Sequence, residues 1–285
     1  MTKRTGIMLA QPLTPERLAK MPGLVYEQPK LDGDRCRAVF TADGYKLFSS
    51  QGNDRSFAVP HIVNALNETS QEGARHTYDG ELYIHGVSHQ AIRSLVSRTT
   101  NRHPDCAKIS YHAFDTISNY PQGIRLSDLF NASCGWMEHD CLEAVETTLI
   151  YPRMPAVVRC MDFYCDEGYE GVILRHPDGF YETKRSNNLL KLKPDKKATA
   201  KIVAPSRAFD IYGRPKDMVG SFIVANDEGI TFKVGAGRLT HEERARLWCQ
   251  RDNLEWSKML CHYRYLRLTE AGIPREPICL KLERL

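Results

Sequence analysis

The chain has 285 residues, more than one domain of the usual ~100–200 residues holds and less than two full ones, so one large and one small domain is expected. With 42% hydrophobic and 26% charged residues it is neither disordered nor fibrous, and no run approaches the ~18 apolar residues of a membrane span. The net charge of +4 is too small to name a partner, and nine scattered cysteines without a C-x-x-C pair exclude a zinc knuckle or a disulfide scaffold.

The N-terminal stretch lacks the apolar core of a secretory signal, which predicts a soluble, intracellular protein. The first informative segment is "KLDGDR", Lys30–Arg35. By itself it reads as a surface turn. It also places a lysine, whose pKa shifts readily, beside a glycine that permits close backbone approach and an arginine with a fixed fork of donors. Such a lysine is a credible nucleophile toward phosphorus.

"RCRAVFTADGYKLFSS" predicts a hairpin turning at Asp43-Gly44, and "TYDGELYIHG" and "KISYHAFDTI" predict half-buried strands. "HQAIRSLVSRTT" and "LSDLFNASCGWMEHDCLEAVETTL" predict helices, and "YEGVILRHPDGFYETKRS" a hairpin around Pro177-Asp178-Gly179. From Lys184 to Lys201 seven basic residues face one acid, Asp195, a candidate phosphate-facing strip. Within it Lys191 and Lys193 share a strand face, with Leu192 on the other.

Beyond Lys197 the pattern becomes a compact series of five short strands and one helix, "LTHEERARLWCQ", with Thr240 and Glu243 spaced for a capping box. That predicts a small all-β barrel of the oligonucleotide-binding (OB) type. The expected domains are 1–197, α+β with antiparallel sheets and flanking helices, and 198–285, the OB-fold. The first two barrel strands are expected to be joined by "RAFDIYGRPKDMVG", Arg207–Gly220, too short to wrap a duplex.

Lys30 is followed, in order, by "DGEL" (79–82), "FD" (114–115), "EGVILR" (170–175) and "LLKLKP" (189–194). Together these segments resemble the covalent nucleotidyltransferase superfamily, and within it the minimal ATP-dependent DNA ligases of viruses and phages. The resemblance implies an enzyme that seals 5′-phosphate, 3′-hydroxyl nicks in duplex DNA, using ATP and Mg2+ or Mn2+, through AMP bound covalently to Lys30. It implies a catalytic set of Lys30, Asp32, Arg35, Glu81, Glu170, Lys191 and Lys193. Gln28, Leu31, Phe114 and Arg185 join Lys30, Arg35, Glu81, Glu170 and the two lysines in a nucleotide pocket, with Phe114 stacking on adenine and Gln28 at a position that recognises it. Glu170 and Glu81 would hold the metal, and Lys184, Arg185, Lys196, Lys197 and Lys201 would meet DNA, helped by Arg207, Arg214 and Lys216. A monomer with no membrane partner is implied, cytoplasmic or virus-encoded and acting in host cytoplasm, its barrel hinging near Lys196.

Two positions depart from the family pattern. Ser50 stands where an arginine usually grips DNA, leaving Arg55 as a substitute, and Ala271 replaces an acid, leaving Arg275 to orient pyrophosphate. An mRNA-capping guanylyltransferase shares the lysine motif but carries R-x-D-K at its end, where this chain has "GIPREPICLKLERL". The remaining alternatives are a catalytically inactive nucleic-acid-binding relative and an NAD-dependent ligase, the latter without its extra N-terminal module and zinc cysteines here.

Overall fold

The computed structural model describes residues 6–70, 75–210, 212–237, 239–265, 268–269, 271–274 and 277–285. Two compact units divide between Lys193 and Pro194, four residues ahead of the boundary expected at Lys197. Among the described residues no helix is long and apolar enough to cross a membrane, and no two cysteines are joined in a disulfide.

The first unit runs β1 (Leu9–Pro12), α1 (Pro15–Leu18), β2 (Val25–Lys30), β3 (Asp34–Thr41), β4 (Gly44–Ser49), α2 (Pro60–Glu68), β5 (Tyr78–Tyr83), α3 (His89–Val96) and β6 (Ser110–Thr116). It continues through α4 (Gln122–Ser133), β7 (Leu142–Ala144), β8 (Thr148–Ile150), α5 (Met154–Asp166), β9 (Gly171–Arg175) and β10 (Arg185–Leu192). Two five-stranded sheets result, ordered β1-β10-β9-β2-β8 and β4-β3-β5-β6-β7.

Strand alternation decides what each sheet shows to the other. In the first sheet Val25, Val172, Leu174 and Leu190 pack with Leu18 of α1 and Val157 and Tyr164 of α5. Gln28, Lys30, Arg175 and Lys191 therefore fall on the opposite face. In the second sheet Cys36, Ala38, Tyr78 and Leu82 pack with Ile62 and Leu66 of α2 and Ile92 of α3. Arg35, Asp79 and Glu81 alternate away from that core, so each sheet has one oily face and one charged face.

The hairpin at Asp43-Gly44 forms as expected, with Gly44 at φ 98°, a left-handed conformation glycine takes without strain. Two expectations fail. The segment read as one long helix is helical only in its first half; Leu142–Ala144 and Thr148–Ile150 are short strands that close the edges of the two sheets. Three-residue strands carry too little alternation to read. The second fails only in part: β9 and β10 pair antiparallel with a turn at His176–Gly179, but Arg175 pairs with Leu189, leaving 176–184 as a longer loop whose Gly179 carbonyl accepts from Gln122 N and Arg125 Nη1.

The second unit is a closed barrel of β11 (Lys196–Phe209), β12 (Pro215–Ala225), β13 (Thr231–Gly235), β14 (Met259–Tyr265) and β15 (Ile278–Arg284), with α6 (His241–Cys249) between β13 and β14. Phe222, Val224, Val234 and Cys261 fill it and are fully buried. The strands extend into the segment expected to be loop, pairing Arg207 with Val219 and Phe209 with Pro215. The Asp210 carboxylate accepts from the backbone of Tyr212 at 2.8 Å and of Arg214 at 2.9 Å.

The expected capping box is present: Thr240 Oγ1 accepts from Glu243 N at 3.1 Å, and Thr240 N donates to Glu243 Oε2 at 2.7 Å. Thr240→Ala removes one half of it and is expected to cost about 1 kcal/mol. The loss is to be read as faster amide exchange confined to α6, and unchanged protection there would show that the cap contributes nothing.

Candidate active site

Three neighbouring strands of the first sheet bring its charges together. Lys30 ends β2 and pairs with Gly171 at the start of β9, and Glu170 N donates to Lys30 O at 2.8 Å. A Cβ at Gly171 would overlap the Leu192 carbonyl, so the close approach of β10 to β9 requires glycine. That approach carries Lys191 and Lys193 to Glu170. The Glu170 carboxylate bridges two ammonium groups, Lys30 Nζ on Oε2 and Lys193 Nζ at 3.0 Å on Oε1. Burial alone would raise the Glu170 pKa, but the two lysines outweigh it and hold the carboxyl below its usual range. Burial lowers the Lys191 pKa, reinforced by the neighbouring charges of Lys30 and Lys193. Three amines share one ionised carboxylate, and this excess of positive charge suits a polyphosphate.

The second sheet supplies the other wall. Arg35 and Glu81 are cross-strand partners on β3 and β5. Arg35 is clamped by the buried Asp79, Nε to Oδ1 at 3.0 Å and Nη2 to Oδ2 at 2.5 Å, and Tyr181 OH donates to the same Oδ2 at 2.5 Å. The fork expected to face sugar or phosphate thus has two donors committed to protein. Gly33 is required by the fold, since a Cβ there would overlap the Leu82 carbonyl. Burial pushes the Glu81 carboxyl up to about 8, aided by Asp34 and Asp79 and opposed by Lys30 and Arg35. Phe114 lies with its ring centre 5.2 Å from both the Arg35 and the Arg175 guanidinium carbons.

Beneath these groups lies a buried network that the sequence reading missed. Asp115 has no exposed surface and accepts from Arg125 Nε at 2.8 Å, Arg175 Nη1 at 2.8 Å and Gln122 Nε2 at 3.1 Å. Gln28 joins it, Oε1 accepting from Arg175 Nε at 2.6 Å. The one sequence signal was positional: Asp115 and Arg175 close the segments "FD" and "EGVILR".

The other expected residues are more dispersed. Leu31 is buried in the core of the second sheet, and Asp32 is half-buried. Arg185 is exposed and donates to the Ala10 carbonyl at 2.7 Å, and Lys184 pairs with Glu182 at 2.8 Å. The basic run is no single strip: Lys191 and Lys193 belong to the first unit's cleft, while Lys196, Lys197 and Lys201 are exposed on β11 of the second. Arg55 does not replace the arginine missing at Ser50, because it is buried against Asp34 at 3.3 Å. Arg207 and Arg214 are paired with Asp217 and Asp210, at 2.6 and 3.1 Å, and Lys216 is exposed. Arg275 lies outside the described residues. Among those described, no three His, Cys, Asp or Glu side chains are grouped as a ready-made metal site.

Glu81 gives a pH signature. Its folded pKa is raised above the ordinary carboxylate value, so from that value up to about pH 8 the folded state holds a proton that the unfolded state has lost. Stability must fall as pH rises through this window. Glu81→Gln removes the effect, and its thermal midpoint should decline less between pH 5 and 8 than the parent's. Parallel curves would show that Glu81 ionises normally.

A family model described as ATP dependent DNA ligase domain matches residues 7–193, and one described as DNA ligase OB-like domain matches residues 212–282. A DNA ligase of Natronomonas pharaonis is 26% identical over 257 residues, covering 84% of this chain and 45% of that protein. The DNA ligase of Enterobacteria phage T4 is 41% identical over 76 residues, 26% of this chain and 14% of that protein. The chain thus spans less than half the length of either curated relative. Two solved structures share the fold at low identity. A Lig E DNA ligase, described as binding DNA with a minimal scaffold, has a TM-score of 0.74 and 23% identity over 98% of this chain and 99% of that one. Chlorella virus DNA ligase-adenylate has a TM-score of 0.55 and 24% identity over 99% of each chain.

Proposed function

This chain belongs to the family of ATP-dependent DNA ligase domains, and from that premise we propose that it seals 5′-phosphate, 3′-hydroxyl nicks in duplex DNA through AMP carried on Lys30. The observation that carries the reading is the Glu170 carboxylate shared by Lys30 and Lys193, with Lys191 beside them. The triphosphate enters a cleft with surplus positive charge. Lys30 Nζ, once deprotonated, attacks the α-phosphorus; a P–N bond forms and pyrophosphate leaves. Lys191 and Lys193 stabilise the charge that gathers on the phosphoryl oxygens. The DNA 5′-phosphate then takes AMP from Lys30, and the 3′-hydroxyl displaces it. The protein contributes positioning and electrostatics at each step.

Burial raises the Glu81 pKa, which in the nucleotide-free cleft favours a protonated carboxyl able to hydrogen-bond a ribose hydroxyl. Glu170, held ionised, would hold Mg2+ or Mn2+, and Glu81 would join it once its proton was drawn off by the ion. The ion supplies neutralisation of phosphate charge.

Lys30→Ala should abolish the labelled protein band formed with α-labelled ATP while still sealing a nick that is already adenylated, since the lysine is spent by then. Labelling at the parent's rate would remove Lys30 as nucleophile, and failure on the adenylated nick by a folded variant would contradict the three-step scheme.

With β11 and β12 paired as far as Phe209 and Pro215, grip on DNA must rest on phosphate contacts, and such contacts weaken steeply with salt through counterion release. Nick binding should fall sharply from low to physiological salt. Lys196→Glu with Lys197→Glu should weaken binding further and leave self-adenylation near the parent's rate. Retention of nicked circular DNA through a high-salt wash, with release only on linearisation, would mean that another segment closes a ring.

A further inference from the structure

Phe114 sits at a β-bulge. Asp115 pairs with Asp79 and Ala113 with Gly80, so Phe114 is the residue of β6 left out of the ladder. A bulged residue turns its side chain in a new direction, and its carbonyl must find a donor outside the ladder. Here the donor comes from the opposite sheet: Gln28 Nε2, at 3.1 Å.

Gln28 has little left for a ligand. Its Nε2 also donates to Thr147 Oγ1 at 2.8 Å, its Oε1 accepts from Arg175 Nε at 2.6 Å, and the residue is 1% exposed. Arg175 is anchored in turn on Asp115, the residue after the bulge, and its guanidinium carbon lies 5.2 Å from the Phe114 ring centre. The carbonyl, the ring and the following residue of Phe114 are all held by one connected buried network.

We propose that Gln28 and Arg175 are positioning residues that fix the direction of the Phe114 ring, and that Gln28 does not itself read the base. This rests on the reading of the cleft as an ATP site with Phe114 against adenine. A base reader needs a donor or acceptor facing the ligand, whereas the Gln28 carboxamide would have to break bonds inside the protein to reach one. Its part is to satisfy the bulge carbonyl, and Arg175 orients the carboxamide that does so.

The test is single-turnover formation of the labelled lysyl-AMP adduct over a range of nucleotide concentrations, with ATP and with inosine triphosphate. Gln28→Met and Arg175→Lys are compared with the parent. Lysine at 175 can keep the ion pair with Asp115 but lacks the second, rigidly placed nitrogen with which Arg175 donates to Gln28. Both variants should raise the half-saturating ATP concentration about tenfold, with the maximal rate within about threefold of the parent's, and Arg175→Lys should show the smaller effect. The ratio of ATP to inosine triphosphate use should stay at the parent's value, because stacking on Phe114 does not distinguish the two bases and no group that hydrogen-bonds the base edge has changed. Thr147→Val, which removes one partner of Gln28, should shift the half-saturating concentration in the same sense by less, and it serves should either buried variant fail to fold. An unchanged half-saturating concentration in folded variants, with only the amplitude or thermal midpoint reduced, would mean that the network merely supports the fold. A fall in the ATP to inosine triphosphate ratio in Gln28→Met would make Gln28 a reader of the base. If the parent forms no adduct, the ATP reading fails and takes the positioning role with it; an adduct in the parent together with unaltered variants overturns the positioning role alone.

Discussion

The Asp115 carboxylate, without exposed surface, binds two guanidiniums and thereby ties the two sheets of the first unit together. Arg175 reaches it from β9 of one sheet, while Asp115 itself is on β6 of the other and Arg125 comes from α4. Burying these charges costs several kcal/mol per ion unless each is paired and fully hydrogen-bonded, and removing one partner strands the rest. The protein meets that demand with Gln122, Gln28 and the carbonyls of Tyr120 and Gly179. The return is spatial. The oily faces of the sheets pack on helices and cannot set the distance between the charged faces, whereas a hydrogen-bonded ionic staple can. Lys30 and Glu170 on one wall, and Arg35, Glu81 and Phe114 on the other, inherit their separation from it.

What could be read from the sequence, and what could not, follows from the same physics. Lys30, Glu170, Lys191 and Lys193 stood out because a strand period and short motifs place them, and the structure gathers them around one carboxylate. The barrel was legible because five short strands and a capped helix each announce themselves locally. The staple was not. Arg125 looks like a polar residue in an amphipathic helix, and Arg55 like a surface arginine, because periodicity reports apolar burial and is silent about a buried ion whose partner lies far along the chain. The basic run misled in the opposite way, since one stretch of sequence crosses from one compact unit into the next and its charges serve different surfaces. Phe114 was found as a residue but not as a bulge, which requires knowing the partner strand.

The doubling of lysines around Glu170 has a reason in the proposed chemistry. Before nucleotide arrives, the carboxylate is balanced on both oxygens, and its pKa lies below the usual range despite burial. Once Lys30 carries a phosphoryl group, its nitrogen no longer bears an ammonium charge, and a carboxylate that depended on Lys30 alone would be left buried and uncompensated. Lys193 keeps Glu170 ionised through that change. Lys191, whose pKa burial and the neighbouring amines depress, gains in the same step, because losing one like charge nearby favours its own protonation just as the AMP phosphate requires a cation. In the proposed chemistry, covalent transfer and charge rearrangement would therefore be coupled: the bond that discharges Lys30 would strengthen the lysine that must hold the product.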